Sequence, residues 1–515
     1  MPVKRIFSLL LSAALLLGLC GCGGRTISFT WFVDALPTNL DPQVASASAD
    51  VIACTHLYSG LFRQAADGTL QNACCASYTV SADGLTYTFA LRSGMTYRQT
   101  AGGSAVAVTA QDFLFAFRRV FRAETASPYA ASFLSIRNGA AVLAGTADES
   151  QLGVAAPDDS TLVITLAEKD DHFLEKLALP GAMPCNEAFF DSTKGSYGLS
   201  SATVLTNGSF YLLNWTSSGL FLRRDITDGH ITNLRLVQNT STAVQTPEEL
   251  VLNGKCSAAL DTTDTQTTLQ TISYSDTTWC LVYNCAGVLG NASLRAALSA
   301  DALQADLPQD STLYSAAEGL VPDGVTVDGE DYRKTAGSAL PALSAGTEAY
   351  QQALAEIGAD NLKGLSILVP DTADAASIQA LNGRWQKDYS LFFSLQTVSA
   401  ADFAKAYEKG DYDIALVPLS LTQNDPLAIL QPFASGGASG YANPAYDALL
   451  AQSAGAVGAD KCALLAQAER LLLQDCAVTP LYRQNKRLLI DPAIHGLRFE
   501  PFGPVIDVTD AVHTD

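Results

Sequence analysis

An α/β fold spread over several domains is what this sequence predicts, and three observations predict it. Segments 366–369, 394–398 and 412–417 read as β-strands separated by helical stretches, the rhythm of a parallel sheet. The 515 residues, 48% of them hydrophobic, suffice for two to four domains with substantial cores. Two strand pairs with turn signals, at 76–91 and at 209–223, add hairpins in the first half of the chain.

The elements follow in order. An apolar run over 27–33 reads as a strand, ended by Leu36-Pro37 and by Leu40-Asp41-Pro42. Residues 50–61 read as a helix that stops near Gly60. Strands at 76–80 and 85–91 are joined by Ser81-Ala82-Asp83-Gly84, whose Asp-Gly pair supplies the positive-φ turn of a hairpin. Leu85, Tyr87, Phe89 and Leu91 then share one face, with Thr86 and Thr88 on the other. Thr109-Ala110-Gln111-Asp112 is a capping box opening a helix through Phe113, Phe117 and Phe121. Asp158-Asp159-Ser160 turns into a strand at 161–166, and Asn207-Gly208 precedes a strand pair at 209–215 and 219–223. Helices are predicted over 294–303, 402–408 and 463–473, the last followed by a short strand at 478–482. The loop 435–440 is glycine-rich but lacks the Lys-Ser/Thr of a phosphate-cradling loop.

Composition narrows the function. With 31 Lys+Arg against 52 Asp+Glu, the net charge of −21 disfavours nucleic acid and anionic lipid surfaces as partners. The N-terminus reads as an export segment. Lys4 and Arg5 precede about 14 uncharged apolar residues, short of the ~20 that span a bilayer. Leu19-Cys20-Gly21-Cys22 resembles a bacterial lipobox, with Gly21 before Cys22 and Leu19 three positions ahead. Cys22 is therefore the expected lipidation site and 1–22 the removed or anchoring segment. Eleven cysteines less Cys20 and Cys22 leave nine, an odd number that cannot all pair internally. Cys54, Cys280 and Cys476 sit in apolar stretches, so most are read as buried thiols, with some disulfides left open.

Catalytic signatures are scarce. Five histidines (56, 172, 230, 495, 513) show no metal-ligand spacing, and no nucleophile elbow occurs. Asp158/Asp159 and Asp411/Asp413 are paired carboxylates that suit acid–base hydrolysis, or equally a turn and a strand edge. Asp328, Glu330 and Asp331 are acidic enough for a cation but too close together for an EF-hand loop.

The ordered fragments together resemble an extracellular solute-binding protein of family 5, the oligopeptide- and dipeptide-binding subunits of ABC importers. They are Leu40-Asp41-Pro42, Leu57-Tyr58-Ser59-Gly60-Leu61-Phe62, Asp67-Gly68, the run 85–92, Val108 to Phe113, Thr125 to Ala130, Leu152-Gly153-Val154, Thr206 to Tyr211 with Trp215, Asn284, Leu294 to Leu298, Tyr441-Ala442-Asn443-Pro444, Tyr446-Asp447, and Asp475 to Leu481. The resemblance implies a two-lobe, periplasmic-binding-protein-like α/β clamshell with an additional small inserted α+β domain. The expected limits are 26–45 plus 150–272 plus 483–515 for a split lobe, 46–149 for the inserted lobe and 273–482 for the opposing α/β lobe. It implies a monomeric, lipid-anchored extracytoplasmic receptor that captures a peptide or peptide-like solute for an ABC permease. No catalysis, cofactor or metal is expected. The alternatives are a surface sensor of pheromone type and an exported hydrolase. Ligand-touching positions carry over as Ser46, Ala47 and Ser48 beside the ligand backbone, and Tyr129 in the Ser-Pro-Tyr element. The family's Trp-x-x-Asp falls on Leu419 to Thr422, and its arginines fall on Leu416 and Tyr407. Thr422 cannot act as the countercharge to a free ammonium, which implies a capped, modified, internal or more apolar ligand.

Overall fold

Three sheets organise the chain, seen in a computed structural model that describes residues 26–514 apart from 100–104, 227, 242, 310, 345, 422 and 504. In the split lobe Ser28–Phe32 pairs parallel with Asn233–Val237, which continues antiparallel into Gly219–Arg223 and Tyr211–Thr216. Phe29, Trp31, Leu220, Leu222, Leu234 and Leu236 alternate inward and meet the helix Ser48–Leu57 through Ile52 and Leu57.

The small lobe is built on the predicted hairpin. Cys75–Val80 and Thr86–Leu91 pair across a turn in which Gly84 has φ +75° and donates its amide to the Ser81 carbonyl at 2.9 Å. The capping box forms as read, with Thr109 N–H donating to Asp112 at 2.7 Å. The helix Ala110–Phe121 then lays Phe113, Phe117 and Phe121 onto the sheet. Two boundaries differ from expectation. Thr161–Thr165 adds to Thr86–Leu91 and carries Val154–Asp158 with it, because Leu162 and Ile164 complete the small-lobe core. Helix Ser48–Leu57, placed by the sequence in the inserted lobe, packs in the split-lobe core instead.

The α/β lobe is built on a sheet ordered Ala258–Asp261, Val478–Ile490, Gln270–Tyr283, Ile414–Ser420, Ser366–Pro370, Ser394–Val398, whose Ala258 end packs in the split-lobe core. Its last three strands are parallel, as their rhythm predicted. Side-chain alternation splits its core in two: Cys280 and Val282 face one cluster, and Trp279, Leu281 and Tyr283 face the other. The expected short strand at 478–482 runs on to Ile490. Its polar half, Arg483 to Arg487, is held in the sheet by Asp323, Asp276 and Asp261. Val478–Ile490 and Gln270–Tyr283 therefore cross from one lobe to the other, with a bulge between Ser275 and Thr277. The whole is a two-lobe clamshell with a third, smaller α+β lobe. No helix among the described residues is long and apolar enough to cross a membrane.

The nine described cysteines are all unpaired thiols, eight of them buried. Burial pushes Cys185 up to about 12 and Cys54 well above the usual thiol range, which leaves both unreactive.

One buried histidine makes stability pH-dependent. His56 is fully buried, with Nδ1 2.7 Å from the Ile52 carbonyl and Nε2 accepting Val508 N–H at 3.0 Å, a pattern that requires the neutral ring. Burial lowers its pKa from the ordinary 6.5, so the unfolded chain takes up the proton first. This contribution is complete above pH 6.5 and is lost as pH falls below it. Denaturant titrations should show stability falling there by at most about 1.4 kcal/mol per pH unit, with His56→Gln flattening the slope.

Candidate functional site

The site is built outward from the Leu40-Asp41-Pro42 turn. The carboxylate of Asp41 accepts two bonds from Arg119, Nη1–Oδ1 at 3.1 Å and Nη2–Oδ2 at 2.5 Å. Arg119 Nη1 also donates to Gln43 Oε1 at 2.7 Å, and Gln43 Nε2 donates to the Met183 carbonyl at 2.8 Å. Arg119 is 3% exposed, and its guanidinium lies 4.2 Å from the ring centroid of Phe190. Farther along, Ser127 Oγ donates to the Gln43 carbonyl and Tyr129 Oη to the Ala45 carbonyl, both at 2.6 Å. Burial raises the Tyr129 hydroxyl far above its ordinary pKa, which keeps it a donor. Gly181 lets this ring in, since a Cβ there would stand 2.6 Å from that of Tyr129.

The consequence is positional. Small-lobe side chains pin the backbone from 41 to 45, and the chain then emerges with Ser46 and Ala47 exposed before the helix starts at Ser48. Ala47, Ser48 and Asp50 wall a cavity of about 500 Å³ on the split lobe, together with Trp31 to Leu36, Asn239, Pro247, Leu250 and Ala258 to Leu260. It opens at the carboxyl ends of the parallel strands Ser28–Phe32 and Asn233–Val237, where open α/β sheets bind ligands.

The other sequence-predicted residues sit on the α/β lobe. Leu419, near the end of Ile414–Ser420, pairs with Thr278 and is half-buried against the lobe core. Tyr407 is stacked between Phe403 and Tyr412, with centroids 6.1 and 5.4 Å away, and burial pushes its hydroxyl up to about 12. That stack makes it a packing residue of this lobe. Thr422 and Cys22 lie outside the described residues. Sequence reading missed Arg483, hidden in a polar run that looks like loop. It pairs with Asp323, and its Nε and Nη2 have no hydrogen-bond partner among the described residues.

The lobes touch at the segment 323–330. Lys176 of the small lobe bridges Asp170 at 2.8 Å and Asp328 of the α/β lobe at 3.0 Å, while His172 stands 3.8 Å from Glu330. Burial pushes the Asp328 carboxyl up, but Lys176 and the Gly458 N–H at 2.8 Å outweigh it and hold the carboxyl below its ordinary range. Gly329, at φ +89°, is required here, because a Cβ would fall 2.3 Å from His172 Nδ1. Phe502 of the split lobe packs into the same α/β-lobe core.

One carboxylate of each acidic pair is bonded locally. Asp158 accepts Ser160 N–H and Oγ–H at 2.8 and 2.7 Å, and Asp413 accepts Ser366 N–H and Oγ–H at 2.8 and 3.0 Å.

Comparison with known proteins gives a consistent result. The family model described as bacterial extracellular solute-binding proteins, family 5 Middle, matches residues 69–441. The oligopeptide-binding protein OppA of Bacillus subtilis is 24% identical over an alignment covering 97% of both chains. The solved structure of Listeria monocytogenes OppA bound to peptide superposes with a TM-score of 0.66, at 24% identity, over 96% of this chain and all of that one. The peptide-binding pheromone receptor PrgZ superposes with a TM-score of 0.67, at 21% identity, over 95% of this chain and all of that one.

Proposed function

We propose, from the premise that this chain belongs to the bacterial extracellular solute-binding proteins, family 5, that it captures a peptide or peptide-like solute between its lobes and delivers it unchanged to an ABC importer. The observation that carries this reading is the cavity walled by Ala47 and Ser48, at the end of a backbone held by a buried polar scaffold. Ligand touching both lobes binds the closed form better than the open one and so draws the population towards closure. The crossing strands Gln270–Tyr283 and Val478–Ile490 are the proposed hinge, with the bulge beside Asp276 absorbing the bend. Ser46, Ala47, Ser48 and Tyr129 are assigned to the ligand side of the split and small lobes and Leu419 to the facing edge, with Thr422 kept as a candidate from the sequence. For the lobes we propose limits that move Ser48–Leu57 to the split lobe and 154–182 to the small one, whose core takes in Phe173, Leu177 and Ala182. The likeness to PrgZ supports a sensor role as a second reading of the same crevice.

Native mass spectrometry of protein purified from its own host tests the proposal. A co-purified peptide-like mass released unaltered by denaturation is expected. Turnover of a peptide or glycoside panel, abolished by Asp158→Asn or Asp413→Asn, would overturn it.

Two further outcomes follow from this reading. Lys176→Met, which unties the small lobe from Asp328, is expected to weaken ligand binding by about 1 kcal/mol, roughly fivefold, in calorimetry. We also propose that Cys22 carries the lipid that holds the domain to the membrane, more than one acyl chain being needed for stable anchoring. A Cys22→Ala protein should lose its label from a fatty-acid probe and appear in the soluble fraction.

A further inference from the structure

One residue of the hinge makes contacts that the ladder around it does not require. Between Gln270–Tyr283 and Val478–Ile490, Ser275 pairs with Asn485 and Thr277 with Gln484, so Asp276 is the extra residue of the bulge. It is 5% exposed, and three strands meet on it. Lys486 Nζ lies 2.7 and 2.9 Å from its two carboxylate oxygens. Its carbonyl accepts Leu421 N–H at 2.8 Å, and Thr277 Oγ1 donates to its Oδ1 at 2.7 Å.

Thr277 extends this chain of bonds to the surface. Its single O–H is spent on Asp276, so the 2.8 Å contact with Ser420 Oγ is a bond that Ser420 donates. Thr277 is buried, whereas Ser420 is exposed at the end of Ile414–Ser420, next to Leu419. The bonds therefore run from a hydroxyl on the edge assigned to the solute, through Thr277 and Asp276, to Lys486 on the other crossing strand. Beyond the bulge the split lobe takes hold. Tyr274, opposite Lys486 in the ladder, packs edge-on to Phe499 with ring centroids 5.2 Å apart.

Bending at the bulge turns Lys486 and Tyr274, which follow the split lobe, against Thr277, Ser420 and Leu421, which follow the α/β lobe. Hydrogen bonds weaken steeply as their angle and distance depart from the optimum, so the whole chain is made at one lobe angle only. With all of it in place the lobes touch through Lys176 and Asp328.

We propose that Ser420, Thr277 and Asp276 couple the solute-facing edge to the hinge, holding the lobes together while their bonds are intact. Thr277 and Asp276 are positioning residues, since they act through Ser420 and Lys486. The inference rests on the solute-binding reading and deepens it. Coupling is reciprocal: if the Ser420 hydroxyl biases the lobes, a solute that holds this hydroxyl in place biases them too.

Single-molecule energy transfer in the solute-free protein, with dyes at the exposed positions 255 and 363 of the split and α/β lobes, measures the ratio of lobes-together to lobes-apart molecules. Ser420→Ala changes an exposed residue and is the deciding variant: the ratio should fall between about twofold and tenfold, the range for one hydrogen bond. Thr277→Val keeps the shape of the side chain and should lower the ratio as far, while Thr277→Ser should restore it. Lys486→Met should lower it as well, and the double variant Thr277→Val/Lys486→Met should fall short of the product of the single effects. A merely structural role would lower the urea midpoint and leave the ratio where it was. An unchanged ratio in Ser420→Ala, an equal fall in Thr277→Ser, or a single lobe separation in the unaltered protein overturns the proposal. If the ratio shifts as expected but no solute co-purifies, the solute-binding reading fails and the hinge coupling stands; a co-purified solute with an unshifted ratio fails the coupling alone.

Discussion

Arg119→Met is expected to destabilise the protein by about 3–5 kcal/mol, the typical cost of removing one partner from a buried ion pair. Asp41 would keep its charge at 4% exposure with its two strongest donors gone, and Gln43 Oε1 would lose its partner as well. The double variant Asp41→Leu/Arg119→Met removes the stranded charge and should recover part of the loss. Urea unfolding followed by near-ultraviolet circular dichroism measures both. Arg119→Met should also weaken ligand binding beyond what stability explains. The 41–45 scaffold fixes the chain just before Ser46, Ala47 and Ser48, and freeing that backbone returns conformational entropy that the ligand must then quench. A variant with unchanged unfolding midpoint and unchanged affinity would remove the positional role assigned to this turn.

The second large effect belongs to the α/β lobe. Glu469, on helix Gly458–Gln474, is fully buried and accepts four bonds: Leu320 N–H at 2.7 Å, Val321 N–H at 3.1 Å, Arg333 Nη2 at 2.9 Å and Tyr332 Oη at 2.9 Å. Glu469→Leu leaves Arg333, still donating to the Val321 and Gly337 carbonyls, without its carboxylate partner and three neutral donors without an acceptor, for a loss of about 3–5 kcal/mol. Glu469→Gln retains one acceptor oxygen and should lose less. Because the carboxylate ties down the chain just before Asp323 and Asp328, its loss should also loosen the contact with Lys176. Hydrogen exchange resolved by peptide is the measurement: faster exchange at 318–332 in Glu469→Leu, with the small-lobe sheet unaffected, is the expected pattern.

Much of the fold was legible because local signals and tertiary needs agreed. The Asp83-Gly84 turn, the Thr109–Asp112 box and the parallel strands all formed where residue type alone placed them. Disagreement arose where side chains far apart in sequence neutralise one another. The strand expected at 478–482 was stopped short of Arg483 to Arg487, since the sequence does not reveal that Asp323, Asp276 and Asp261 wait beside it. The pairing of Thr161–Thr165 with Thr86–Leu91, which underlies the lobe limits we propose, could not be foreseen for a similar reason. A strand's pattern states that it needs a partner but not which one.

The candidate site divides the same way. Ser46 to Ser48 and Tyr129 were picked out by motif, while their link through the Ala45 carbonyl needed coordinates. Tyr407 was picked out too, and its place in a stack with Phe403 and Tyr412 is a fact of packing. Residue order alone determined the family, the excess of negative charge and most element types, because these depend on composition and on periodicities a few residues long. Only the tertiary structure decided which lobe each strand joins, where Lys176 meets Asp328, and that Asp276 and Thr277 stand between Lys486 and Ser420. Those outcomes depend on distances between residues tens to hundreds of positions apart, set by how the apolar faces close on one another.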